Sequence, residues 1–227
     1  MKLCPRCGLG TEPNRKIYRK HGAIGDLFGV SFADLAKLAK KLKRNHALAR
    51  QLWDSGNYDA RNLATMIAEP VQMDTAALNA WAAGLNCYGH ADLFARNVAS
   101  ISPSGEACMK EWMNSSADFV SQCGWDLLAM TAMNDAALPD SYFEPFLKTI
   151  ESGIHAAPNR TRHAMNMALI AIGMRNPALR AKAEAAAKRI GKVEVDHGDT
   201  NCKTPDAVAY IAKALAHKAK KTTSRKT

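Results

Sequence analysis

Apolar residues recur along this chain at three- and four-residue steps and almost never alternate, so helices are available to it and sheets are not. From Phe32 to Leu42 the apolar positions are Phe32, Leu35, Ala36, Leu38, Ala39 and Leu42, with Lys37, Lys40, Lys41 and Lys43 between them and after them. That is an amphipathic helix with a basic side. The same periodicity predicts helices at about 45–54, 57–69, 74–83, 88–99, 105–113, 116–133, 140–157, 160–173, 175–190 and 204–217. Turn chemistry separates them at Ser55-Gly56-Asn57, Glu69-Pro70, Ser102-Pro103-Ser104-Gly105, Leu138-Pro139-Asp140 and Asn176-Pro177.

Helices joined by such short turns pair with their neighbours. Helix-turn-helix units recur every thirty to forty-five residues or so, near the period of HEAT and armadillo repeats, although no crisp identity links the units. The expected fold is therefore all-α, a helical-repeat solenoid whose concave face suits a long ligand such as a nucleic-acid duplex.

The formal charge is +10, and a basic chain points first to a polyanionic partner. Much of that charge sits at one end. Lys203 to Thr227 holds seven basic residues against one acid, a net +6 that leaves +4 for the rest. The stretch past His217 is expected to be a disordered basic tail, 218–227, and residues 1–9 a short extension before a repeat domain at 10–217. With no apolar run long enough to span a membrane and no apolar signal core after Met1, the expected location is the cytoplasm.

Six cysteines in such a chain are expected to be reduced thiols. Cys4 and Cys7 have the spacing of half a zinc ribbon, but no second pair follows; a closed site would have to recruit Cys202 or His197. The loop 191–203 gathers Glu194, Asp196, His197, Asp199 and Cys202. Capping carboxylates and a turn at Gly198-Asp199 account for it better than metal ligation. Neither a metal nor a cofactor is expected. A Gly-rich phosphate loop, a Gly-x-Ser-x-Gly elbow and a His-Glu-x-x-His run are all missing, which leaves nucleotide hydrolysis, that class of esterase and zincin proteolysis unsupported.

Four runs carry a resemblance: 10–22 (GTEPNRKIYRKHG), 28–31 (FGVS), 52–61 (LWDSGNYDAR) and 191–198 (GKVEVDHG). In order and spacing they resemble the bacterial DNA alkylation repair protein family, HEAT-like-repeat DNA glycosylases, over roughly Gly10 to His217. The resemblance implies a solenoid that holds duplex DNA and excises cationic N3- or N7-alkylated purines. It also implies an active helix on which an aromatic residue precedes an aspartate by four, here Tyr88 and Asp92. Spacing of four puts the two on one helix face. The ring attracts the cationic base, and the carboxylate stabilises the positive charge that develops on the sugar. His90, between them, points elsewhere, to packing or solvent.

The pattern is incomplete. The family commonly has tryptophan where Tyr88 and Met167 stand and arginine at about Gln122 and at Ile170. Met165, Met167, Leu169 and Ile170 read more simply as packing residues. Two functions stay open: a monomeric, metal-independent alkylpurine glycosylase using Asp92 and Tyr88, and a weakly catalytic or non-catalytic module that binds DNA of unusual structure, or a protein. In either, phosphates of double-stranded DNA are expected to meet Lys41, Arg44, Arg61, Arg96, Arg162 and Arg175, with Arg61 equally suited to pairing between helices.

Overall fold

The computed structural model describes residues 8–223, with side chains to residue 218. Cys4 and Cys7 lie outside the described residues, as does the chain beyond 223. Among the described residues there are twelve α-helices and no strand, only an isolated antiparallel bridge between Gly10 and Val30. The helices are α1 (Glu12–Lys20), α2 (Phe32–Leu42), α3 (His46–Asp54), α4 (Tyr58–Ile67), α5 (Thr75–Ala83), α6 (Tyr88–Phe94), α7 (Gly105–Trp112), α8 (Asp118–Asn134), α9 (Asp140–Gly153), α10 (Asn159–Gly173), α11 (Pro177–Ile190) and α12 (Ala207–Thr223). None is long and apolar enough to cross a membrane.

Polar side chains start the helices, two of them, Asn57 and Asn176, at the expected breaks. Ser31, Asn45, Asn57, Asp74 and Asn176 each accept the backbone N–H three residues on, opening α2, α3, α4, α5 and α11. Three elements differ from the periodicity. Helix α1 was not predicted, because its face against the core holds a single buried residue, Tyr18; its polar signals are sound, with Thr11 capping Asn14, Pro13 near the start and Arg19 and Lys20 in the last turn. The segment expected as one helix at 88–99 changes winding, and α6 runs into a π turn at Ala95–Ala99. Helix α12 continues to Thr223, past the His217 limit where a disordered tail was expected; alanines and lysines favour helix.

The contacts divide the chain into two compact units. The first runs to Leu127 and takes in His197–Asn201, and the second holds Leu128–Asp196 and the chain from Cys202 onward. Within the first, α3 packs on α4, α2 on α4, α4 on α6 and α5 on α7; within the second, α9 packs on α11 and α10 on α12. Helices thus pack both on their neighbours, as α3 on α4 and α10 on α11, and on helices two places on, which is how stacked helix pairs bury their apolar stripes.

In the first unit the core is aromatic. Trp53 and Trp81 stack in parallel with ring centroids 4.4 Å apart, and Phe94 bridges from Trp81 to Trp112. Asp59, fully buried on α4, takes the backbone N–H groups of Phe28 (2.6 Å), Gly29 (3.1 Å) and Val30 (2.8 Å). One carboxylate thereby pins the α1–α2 connection to α4. Gly29 has φ +78°, and a Cβ there would lie 2.5 Å from the Thr11 carbonyl oxygen, so only glycine fits this approach.

Candidate nucleic-acid interface

Tyr88 is the first residue of α6 and Asp92 stands one turn later, both partly buried. The Tyr88 hydroxyl meets Nδ1 of His21, the residue that closes α1. On α8, Gln122 is 1% exposed and aims its amide at the same place. Its Nε2 donates to Oδ1 of Asp92 at 2.7 Å, and the Tyr88 carbonyl (3.3 Å) and Oδ2 of Asp126 (3.4 Å) lie around the same nitrogen. The other amide atom, Oε1, is buried without a hydrogen-bond partner. An unsatisfied buried oxygen costs about 1–3 kcal/mol, so the carboxylates set the orientation of this amide.

The surroundings of the cluster are closed and inert. Burial pushes the Cys87 thiol up to about 11 and the Cys123 thiol well above its ordinary value, so neither supplies a thiolate nucleophile near neutrality. His90 is fully buried and packs, as its position on the helix implied: Nε2 donates to the Tyr58 carbonyl at 3.1 Å and Nδ1 faces Asn86. Burial lowers its pKa to about 4. Ile170 is 2% exposed and Met167 partly buried within the second unit.

The basic residues divide sharply by chemistry. Four arginines expected at phosphates have their guanidinium groups on backbone carbonyls. Arg61 holds the carbonyls of Trp53 (3.1 Å) and Gly84 (2.7 Å) and lies over the Trp53 ring. Arg44 reaches the carbonyls of Met66 and Ala68 at the end of α4. Arg162 ties Ala157 (3.0 Å) to Glu194 (2.8 Å). Arg175 gathers Ala132 (2.7 Å), Asp135 (2.8 Å) and Leu138 (2.9 Å) and covers the Phe143 ring at 4.2 Å. Helix C-termini leave carbonyls without intrahelical partners, and arginine's fork satisfies several at once. Lys41 and Arg96 are exposed and have no such bond among the described residues.

The loop 191–203 is tied down by its backbone. Glu194 and Asp196 offer carbonyls to Arg162 and Asn159, while the Glu194 carboxylate pairs with Lys192 at 2.7 Å. The helix start that follows, α12, is capped by Asp206.

A sequence model described as DNA alkylation repair enzyme matches residues 8–211. The chain belongs to the DNA alkylation repair enzyme family. Two relatives, the uncharacterized proteins Lin0241 of Listeria innocua and Lmo0209 of Listeria monocytogenes, are each 33% identical over 209 residues, covering 89% of this chain and 91% of theirs. A solved structure described as "A new family of proteins related to the HEAT-like repeat DNA glycosylases with affinity for branched DNA structures" has a TM-score of 0.84 at 32% identity, over 92% of this chain and 90% of that one. The all-helical fold of this family member is thus of the HEAT-like repeat kind. Two parts of its site had escaped the sequence. Asp126 was visible as the i+4 partner of Gln122 on α8, whereas nothing local joins His21 to Tyr88, 67 positions apart.

Proposed function

We propose that this protein binds branched DNA and does not excise alkylated bases. One observation carries this reading: the Asp92 carboxylate is engaged by the buried Gln122 amide at 2.7 Å. Excision asks a carboxylate to face the developing sugar cation, unencumbered by a donor from its own fold. A neutral amide at this place also brings no charge to a phosphate. Ile170, at the other position where the resemblance implies arginine, is a core residue. The affinity for branched DNA ascribed to the structural relative supports the same conclusion.

Recognition in this reading is electrostatic and shape-dependent, made through phosphates by exposed cations such as Lys41 and Arg96. The half-buried Tyr88 ring, steadied by His21, offers an aromatic edge where bases are unstacked at a branch point. A second reading, alkylpurine excision, is favoured by Tyr88 and Asp92 sharing one face of α6. Single-turnover incubation with methylated duplex separates the two. No release of methylpurine is expected from the wild type. Release that falls on the order of a hundredfold in Asp92→Asn would establish excision instead.

A further inference from the structure

We infer that a groove between α2 and the π turn is a second DNA contact, which grips the sugar–phosphate backbone of one arm of a branched molecule; the inference rests on the branched-DNA reading above. The groove encloses about 300 Å³ and is lined by Ala36, Ala39, Arg44, Met66, Asn97 and Ile101. Its first lip is α2. Lys40 follows Ala36 by four on α2, so it continues the stripe that lines the groove, and Lys43 closes the helix immediately before Arg44, which also lines it. From Lys37 to Arg44 the chain has five cations and no acid, and the preceding acid, Asp34, is paired with Lys37 at 2.9 Å. Lys40, Lys41 and Lys43 are exposed, and their side-chain amines have neither an ion pair nor a hydrogen bond among the described residues. The second lip is the π turn, where Arg96 is exposed beside Asn97. The lining holds no acid, so a phosphate backbone can come close without meeting one.

Backbone strain at Lys43 is an independent observation. Lys43 closes α2 with φ 56° and ψ −161°, the only positive φ outside glycine among the described residues. Gly191 closes α11 in nearly the same conformation, φ 71° and ψ −147°. That region is essentially reserved for glycine, and residues held in it cluster at functional sites. At α11 the chain uses the residue the geometry prefers; at α2 it keeps a lysine at a cost in strain. A lysine next in the chain to Arg44, which lines the groove, is what the strain retains. Helices that contain a π turn show the same association with function.

The substitution Lys43→Gly relaxes the backbone while removing the cation, so loss of binding cannot be blamed on misfolding. Fluorescence anisotropy at fixed salt, with a four-way junction and a linear duplex of the same sequence, reads the result. Lys43→Gly is expected to melt no lower than wild type, to lose about fivefold in junction affinity with a shallower salt dependence, and to bind linear duplex within about twofold of wild type. The double variant Lys40→Gln/Lys43→Gly should lose more. If wild type prefers the junction and both variants retain that preference, the groove is not the second contact although the branched-DNA reading stands. An equal loss on junction and duplex reduces the groove to general attraction and overturns the inference. If wild type binds neither DNA, the functional reading itself fails. Loss of binding to an oligoglutamate peptide, with junction binding intact, would reassign the groove to an acidic protein.

Discussion

The two compact units are built from the same helical pattern but use their polar residues differently. All four tryptophans, Trp53, Trp81, Trp112 and Trp125, lie in the first unit, each no more than 5% exposed. There too are the buried carboxylate of Asp59, the Gln122 amide on Asp92 and the groove beside Lys43. The second unit has a mainly aliphatic core of residues such as Ala164, Leu169, Ile170, Ile172 and Leu179, with Phe143 its fully buried ring, and its conspicuous arginines, Arg162 and Arg175, close helix ends. Charge in a sequence is therefore not charge available to a ligand. Guanidinium groups beside helix termini are consumed by carbonyls, while Lys40 and Lys41 on the exposed face of α2 have no such side-chain partner among the described residues.

This contrast exposes the first unit to the largest single effect. Asp59→Ala leaves three backbone N–H groups without their acceptor and should cost about 5 kcal/mol. Tryptophan fluorescence during urea unfolding reports the first unit alone, and its midpoint should fall sharply. An unchanged midpoint would mean that the carboxylate does not hold the α1–α2 connection.

In the second unit, Ile170→Arg tests whether the arginine implied by the resemblance could simply be restored. Ile170 is buried at 2% exposure, so the change places an unpaired charge in an aliphatic core and should cost about 4 kcal/mol. Thermal circular dichroism should show the loss. A variant of undiminished stability that released methylpurine would show the position to be poised for catalysis.

A smaller effect follows from His90, whose pKa burial lowers to about 4 from the ordinary 6.5. Above pH 6.5 the ring is neutral in both folded and unfolded chains and contributes no pH dependence. As pH falls from 6.5 towards 4 the unfolded chain takes up the proton first, and about 3 kcal/mol of stability is lost. Urea midpoints followed by tryptophan fluorescence at pH 7, 5.5 and 4.5 should trace that window. His90→Gln should flatten it, and an equally steep loss in that variant would assign the effect to other groups.

Most of the fold was legible because periodicity and capping agree: Asn57 and Asn176 stand where turns were expected, Asp74 stands at the expected start of a helix, and each caps a helix. Helix α1 was missed because one buried residue, Tyr18, makes no periodicity. The site was legible in part. Tyr88 and Asp92 share a helix, so spacing alone relates them, and Gln122 stood out as a departure from the pattern of the resemblance. What joins them is tertiary. The amide of Gln122 is 30 residues from Asp92 and the ring of His21 is 67 from Tyr88. The carbonyl partners of the arginines were hidden for the same reason, since those that engage Arg175 lie about forty residues before it.

Competition binding between a labelled four-way junction and an unlabelled linear duplex of identical sequence, at one salt concentration and with wild-type protein, bears most directly on the function proposed. The junction should be held at least about tenfold more tightly, because a second arm adds phosphate contacts that a linear duplex cannot supply. Equal affinity for the two would contradict recognition of branched DNA.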